Sequence, residues 1–209
     1  MARTPAPDTR DRILDAASRL FREHGARAVG LQQIIDECGC GKNVLYREFA
    51  SKDALVAAYL ERCQVEWNAI MDAAIAPHDD APDRQLVDLV RAVVRQVSTP
   101  GFRACPFRST HAEFPDDGHP ARKVAVDHVR TLRTRLGKLA ERAGARDPRR
   151  LADQLTLIID GLYSSGPMAG TRGPAAVAVA LADDLVRASC GPPRGTDQAP
   201  SDEAAQRVR

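Results

Sequence analysis

Hydrophobic residues recur along this chain at steps of three and four, and the breaks between runs fall at Gly and Pro. Ile13, Leu14, Ala17, Leu20 and Phe21 make one face of a helix that starts after Asp8 or Thr9, both suited to N-capping. Gly25 stands where a left-handed residue closes that helix. Gly30 opens a short helix over 31–37 with Leu31, Ile34 and Ile35 inward, and Gly39 ends it. Beyond the turn Cys38-Gly39-Cys40-Gly41, a second short helix over 42–49 buries Leu45 and Phe49 and turns Lys42, Asn43, Tyr46 and Arg47 outward. Two short helices across a glycine turn, packed on a preceding helix, describe a helix-turn-helix.

The period continues after it. Ser51 caps a long helix carrying Leu55, Tyr59, Cys63, Trp67, Ile70 and Ala74, which Pro77 stops. A helix from Pro82 to about Ser98 holds Leu86, Leu89, Val90, Val93 and Val97 on one side, and Pro100-Gly101 breaks it. The stretch 102–120 is irregular, with a short helix from Cys105 or Pro106 to about Glu113. Three more helices follow: 121–143 through Val129, Leu132, Leu136 and Leu139, then Asp147 to about Gly166, then Pro174 to about Ala188. No segment alternates with period two over strand length, so the fold is expected to be all-α, with about nine helices. From Gly191 apolar residues almost vanish, so 191–209 is expected to be a disordered tail.

Charge and composition narrow the function classes. The 209 residues carry 30 basic and 28 acidic side chains, a net of +2, so bulk charge does not announce a nucleic-acid binder. The longest wholly apolar run, Ala175 to Ala182, is far short of the roughly 20 residues a membrane helix needs. Met1 to Pro7 lacks the apolar run of a secretory signal, so a cytoplasmic location is expected. Five scattered cysteines argue against a disulfide framework, and Cys38 and Cys40 read as small buried hydrophobes. An enzyme is disfavoured: Gly161-Leu-Tyr-Ser-Ser-Gly is not a nucleophile elbow, and the chain has no phosphate loop, no HExxH and no paired-Cys metal site. No cofactor is implied.

The second helix of a helix-turn-helix offers its first residues to the DNA major groove. Asn43 has the donor and acceptor that suit adenine, Lys42 or Arg47 can reach guanine or a phosphate, and Val44 can meet a thymine methyl. Tyr46 can donate to a phosphate, and Lys52 adds its charge at a helix N-terminus. Gln32 and Gln33 on the supporting helix, and Gly41 at the start of the reading helix, complete the candidate DNA-binding set.

These residues also carry a resemblance. Ile13-Leu-Asp-Ala-Ala17, Leu20-Phe-Arg-Glu-His-Gly25, Gly39 and the run Gly41 to Leu55 with its Leu-Tyr-x-x-Phe-x-Ser-Lys-Asp signature closely resemble the DNA-binding domain of the tetracycline-repressor (TetR) family. The resemblance covers about the first quarter of the chain. It implies a homodimer with a reading head over 1–53 and a ligand-binding and dimerisation domain over 54–190. It implies a one-component repressor that binds a palindromic double-stranded operator and leaves it when an unknown small molecule binds. Tyr46 and Lys52 then stand as the phosphate-contacting pair. Two positions depart from the family pattern: Gly30 and Gly41 replace hydroxyl residues, losing two side chains that contact phosphate.

For the remainder, a ligand cavity needs apolar walls and a few polar groups. Trp67, Met71, Phe102, Cys105, Phe107, Phe114 and Leu132 can supply walls, and Arg108, His111 and His128 polarity. A solid core here would instead fit an activating or partner-controlled regulator without an inducer. His111, Glu113, Asp116, Asp117, His119 and His128 invite a metal-responsive alternative, although their spacing matches no short metal motif and no metal site is assigned. Gln154, Ile158, Gly161 and Ser165, joined by Val177, Leu181 and Leu185 of the last helix, make a candidate dimer interface of four helices.

Overall fold

The computed structural model describes residues 9–191. The expectations for Met1 to Pro7, for Asp8 as a cap, and for the tail beyond Gly191 lie outside these residues. Nine α-helices follow one another, and no strand occurs among the described residues. They are α1 (Thr9–His24), α2 (Leu31–Cys38), α3 (Lys42–Glu48), α4 (Lys52–Ile75), α5 (Pro82–Val97), α6 (Pro106–Glu113), α7 (Pro120–Arg142), α8 (Pro148–Ala169) and α9 (Ala175–Cys190). Short 3-10 turns occupy Ala76–His78 and Gly170–Arg172.

Local chemistry sets most of the ends. Proline begins α5, α6, α7 and α8, where its missing N–H has no partner to lose. Ser51 Oγ accepts from Ala54 N at 3.1 Å, His119 Nδ1 from Ala121 N at 3.2 Å and Asp147 Oδ1 from Arg150 N at 3.0 Å. Gly25 (φ +84°) and Gly39 (φ +61°) close α1 and α2 in the left-handed region. Thr9 is the first residue of α1.

α2 and α3 pack on α1 and on each other, and α1 packs on α4, which also enters a bundle with α5, α7, α8 and α9. One continuous apolar core runs from Ile13, Ile34 and Leu45 through Leu55 and Leu60 to Leu136, Leu155 and Val186. The apolar stripe of α7 runs through Ala125, His128, Leu132 and Leu136, so His128, not Val129, faces inward. The two cysteines of the α2–α3 turn also differ from expectation. Cys40 is only half-buried, and the structure pairs its sulfur with that of Cys38 in a disulfide.

Gly166 is where α8 passes α5. A Cβ there would lie 2.8 Å from Val97 Cβ and 2.9 Å from Val97 Cγ2, closer than packed carbons approach. Gly137, within α7, has nothing within 4 Å of the same position. Gly137→Ala is therefore expected to raise stability by up to about 1 kcal/mol through helix propensity. Gly166→Ala gains the same propensity term but pries the helices apart, so it should fall about 1–3 kcal/mol below Gly137→Ala in urea unfolding. Equal effects of the two substitutions would count against the close α5–α8 contact.

Candidate nucleic-acid interface and ligand cavity

α3 buries Leu45 and leaves Lys42, Asn43, Tyr46 and Arg47 exposed, as the helical pitch requires. Among the described residues, the Lys42, Asn43 and Tyr46 side chains take no hydrogen-bond or ionic partner. Arg47 stands 3.6 Å from Glu48, which draws part of its charge away from the outer surface. Val44 is half-buried beneath them. Arg10 of α1 lies 4.4 Å above the Phe49 ring and anchors the far end of the same motif.

The α2 residues in the candidate set have local partners. Gln33 Oε1 accepts from Gly30 N at 2.7 Å and so supplies the cap that Gly30 cannot make with a side chain. Gln32 Nε2 donates to Asp36 Oδ1 at 2.8 Å. Gly41 is the N-cap of α3. Lys52 Nζ donates to Arg27 O at 2.9 Å. Burial pulls the Lys52 ammonium downward, and Asp53 and Glu113 oppose that pull. An ammonium has three donors, so two remain for an outside acceptor.

Behind this head lies a cavity of about 560 Å³. Phe21 and Ala26 come from the head, and Tyr59, Cys63, Trp67 and Ile70 from α4. Gln96 lies near the end of α5, Phe102 and Cys105 in the loop after it, Phe107 in α6 and Tyr163 in α8. Trp67 Nε1 donates to Tyr163 Oη at 3.1 Å, and that hydroxyl donates to Gln96 Oε1 at 2.7 Å. Burial pushes the Tyr163 and Tyr59 phenols up, so both remain neutral donors. Arg22 bonds Glu66 at 2.8 Å on the cavity wall, beside Cys63. The wall thus combines six aromatic rings with neutral hydrogen-bonding groups, and the charged Arg22, Glu23, Glu66, Arg103 and Glu113 also border it.

Four of the ten ligand candidates, Trp67, Phe102, Cys105 and Phe107, line this space. Met71 and Leu132 do not, because they pack in the solid core. Arg108 is drawn away to Asp160 and lies 5.3 Å over the Tyr163 ring. His111 is exposed, and Phe114 stacks on His119 at 4.2 Å. His128 lies behind the wall, stacked on Phe107 at 3.7 Å and edge-on to Trp67 at 4.9 Å. Reasoning from sequence missed Phe21, Tyr59, Cys63, Gln96 and Tyr163. For Tyr59 and Cys63 a signal existed, since both sit one or two four-residue steps before Trp67 on the same face of α4. The acids and imidazoles around α6 are dispersed. Glu113 bonds Arg27, Asp117 bonds Arg122, and His119 faces Asp53 at 3.3 Å. Among the described residues no three such groups converge as a metal site would require.

His128 has a pH signature. Its Nδ1 lies 2.6 Å from Gln64 Oε1, an acceptor, which assigns the ring proton to Nδ1. Nε2 is buried without a partner, so a second proton there would gain no bond. Burial, with a smaller push from the Arg108 charge, lowers this imidazole from 6.5 to about 4. The unfolded chain then takes up the proton first as pH falls. The group's contribution to stability is complete above about pH 6.5 and drains toward pH 4, a loss on the order of 3 kcal/mol. His128→Asn, which does not titrate, should remove that part of the slope in urea unfolding measured from pH 7 to 4. An unchanged slope would count against it.

The head is tied to the bundle at several points. Glu113 Oε2 accepts from Arg27 N at 2.5 Å, Arg103 Nη1 donates to Glu23 O at 2.9 Å, and Arg22 and Arg62 of the α1–α4 seam bond Glu66 and Asp15. α8 and α9 present an apolar face to the outside. Leu157 is 71% exposed, Met168 81%, Val177 61% and Leu181 48%. Gly161 and Ser164 lie on the same stripe as Leu157 and Met168. Of the candidate interface, Gly161, Val177 and Leu181 are exposed, Gln154 and Ser165 are half-buried, and Ile158 and Leu185 pack partly on the subunit's own core. The outward stripe of α8 thus shares Gly161 with the expected one and otherwise runs through Leu157, Ser164 and Met168.

The profile of bacterial regulatory proteins of the tetR family matches residues 13–59. A helix-turn-helix transcriptional regulator of Mycobacterium tuberculosis is 46% identical over 94 residues, 45% of this chain and 46% of that protein, so the match spans about half its length. The crystal structure of a TetR-family transcriptional regulator from Streptomyces coelicolor superposes with a TM-score of 0.82 at 27% identity, covering 88% of this chain and 96% of that one. A TetR transcriptional regulator from Streptomyces avermitilis superposes with a TM-score of 0.70 at 30% identity, covering 84% and 98%. With the outward α3 face and the nine-helix order already in place, these matches settle the assignment: the chain belongs to the tetR family of bacterial transcriptional regulators.

Proposed function

We propose that this regulator is a homodimeric repressor that binds a palindromic operator through Lys42, Asn43, Tyr46, Arg47 and Lys52, and that a small molecule entering the 560 Å³ cavity releases it. The observation that carries this reading is the shared wall of the cavity. Phe21 and Ala26 of the head face the same space as Trp67, Phe107 and Tyr163, so an occupant touches the head directly. The loop and α6 that close the cavity also hold the head through Arg103 and Glu113. An occupant that displaces them alters the angle at which α3 is presented. Its effect is limited to the difference between its affinities for the two shapes.

The cavity's size lies within the range of small-molecule sites and favours a ligand sensor over a regulator with a solid core. The metal-responsive alternative has no converging donor set among the described residues. The apolar α8–α9 face fits the dimer contact, setting two heads roughly 34 Å apart or a multiple of it. On this reading residues 1–53 form the reading head and 54–190 the ligand and dimer domain. Location in the cytoplasm is part of the same proposal; among the described residues no helix is long and apolar enough to cross a membrane.

The test has two stages. Purified protein is titrated with DNA from upstream of its own gene, and a thermal-shift screen then seeks compounds that stabilise it. A compound that both stabilises the protein and weakens the DNA complex supports the whole reading. Absence of specific DNA binding overturns the operator, and stabilising compounds that leave DNA affinity unchanged overturn induction.

A further inference from the structure

The α2–α3 turn carries chemistry that DNA reading does not use. Cys38 is the last residue of α2, and Cys40 lies between Gly39 and the N-cap Gly41. The left-handed Gly39 brings both cysteine side chains to one side of the turn, with Cα atoms 5.4 Å apart, a separation that disulfides commonly span. Cys40 is half-exposed and within reach of a solution reagent. As a thiol, Cys38 lies 3.6 Å from Ile35 O and has an acceptor ready, so the reduced state is also satisfied. Arg12 Nη2 donates to the Cys38 carbonyl at 2.9 Å and holds the end of α2. The other three cysteines, Cys63, Cys105 and Cys190, all lie outside the head.

We infer that Cys38 and Cys40 form a redox-sensitive pair whose oxidation by a low-molecular-weight disulfide strengthens operator binding. This rests on the proposed DNA-reading role of α3. The Cys40 thiol loses its proton to solvent, and its thiolate attacks one sulfur of the reagent. The reagent's S–S bond breaks, and one thiolate leaves and is protonated. Cys38, likewise deprotonated, then attacks the mixed disulfide at Cys40, forming the intramolecular bond and expelling the second thiol. Two protein thiols and one disulfide become one protein disulfide and two small thiols. Intracellular disulfides are characteristically of this reversible kind.

The consequence for DNA lies in the glycines. With the cysteines reduced, Gly39 and Gly41 leave the joint between α2 and α3 a wide choice of backbone conformations. Closing the ring joins the end of α2 to the residue just before the α3 cap, so Lys42 and Asn43 are held ready before DNA arrives. Preorganisation of this kind raises affinity without a new contact, and a homodimer would have two such turns.

The experiment compares full-length protein kept reduced with dithiothreitol and protein equilibrated with oxidised glutathione. The peptide 28–42 should become two hydrogens lighter in the oxidised sample. Affinity for the upstream DNA, read by fluorescence anisotropy, should rise roughly tenfold. Cys40→Ser should hold the reduced value in both samples, Cys38→Ser should stop at a glutathione adduct on Cys40 and show no rise in affinity, and Cys190→Ser should keep the rise. Equal affinities despite complete oxidation of the peptide would overturn the switch, as would a glutathione adduct that persists on Cys40 of the parent protein or a rise that survives in Cys38→Ser. Loss of DNA binding in both samples would instead indict the operator reading. Hydrogen–deuterium exchange over 38–48 then decides the switch independently. Slower exchange after oxidation supports closure of the turn, and unchanged exchange overturns it.

Discussion

Replacing both Lys42 and Tyr46 by Ala is expected to weaken operator binding about a thousandfold while leaving the fold untouched. Both side chains are exposed and have no partner among the described residues, so their removal disturbs no packing. A contact to phosphate or to a base edge contributes about 1 kcal/mol at the low end. The proposed dimer presents each residue twice, so four lost contacts amount to about 4 kcal/mol, close to three orders of magnitude. Anisotropy titrations at several salt concentrations separate the roles. If Lys42 meets phosphate, Lys42→Ala alone reduces the salt slope by about two per dimer; if it meets guanine, specificity relaxes at one position of each half-site. Lys52→Ala is an informative companion, because that ammonium also donates to Arg27 O and its loss loosens the head as well. Affinity within threefold of the parent for the double variant would remove α3 from the reading surface.

Placing Glu at both Leu157 and Leu181 is the second large effect. Their side chains are mostly or half exposed in the single chain, so the substitutions should leave helix content and the monomer's core intact. In the proposed dimer they meet across the two-fold axis, where each carboxylate would lose hydration opposite its own copy. Sedimentation should then show a monomer at micromolar concentration where the parent is a dimer. Operator affinity should fall at least about a hundredfold, because the second head no longer benefits from an effective concentration near the millimolar range. A variant that remains dimeric would place the interface elsewhere.

How legible these sites were in sequence depended on what each required. The outward set on α3 follows from helical pitch once Leu45 and Phe49 are known to be inside, and the structure leaves Lys42, Asn43, Tyr46 and Arg47 where the pitch puts them. The cavity was legible only as a region. Phe102, Cys105 and Phe107 were singled out because 102–120 breaks the helical period, and they do line the space. Met71 and Leu132 are as apolar and periodic as Trp67, yet they meet other side chains where Trp67 borders a void. Nothing in a residue's own spacing distinguishes a helix face that meets a neighbour from one that meets a gap. His128 shows the converse, since a polar residue on the buried stripe of α7 was read as a cavity group when its role is to stack on Phe107 and bond Gln64. At the apolar α8–α9 face, Ile158 and Leu157 are adjacent and equally apolar, and only the tilt of α8 on α5 and α7 decides which of them faces outward.

The sequence by itself determined the helices, most of their ends and the face of the reading helix. These depend on a 3.6-residue repeat and on the local chemistry of Pro, Gly, Ser and Asp, all of which act within a few residues. Tertiary structure alone decided the cavity, the bonds from Glu113 and Arg103 to the head and the burial of His128. Each of those depends on how far apart two elements come to rest, and residue type does not constrain that quantity on its own.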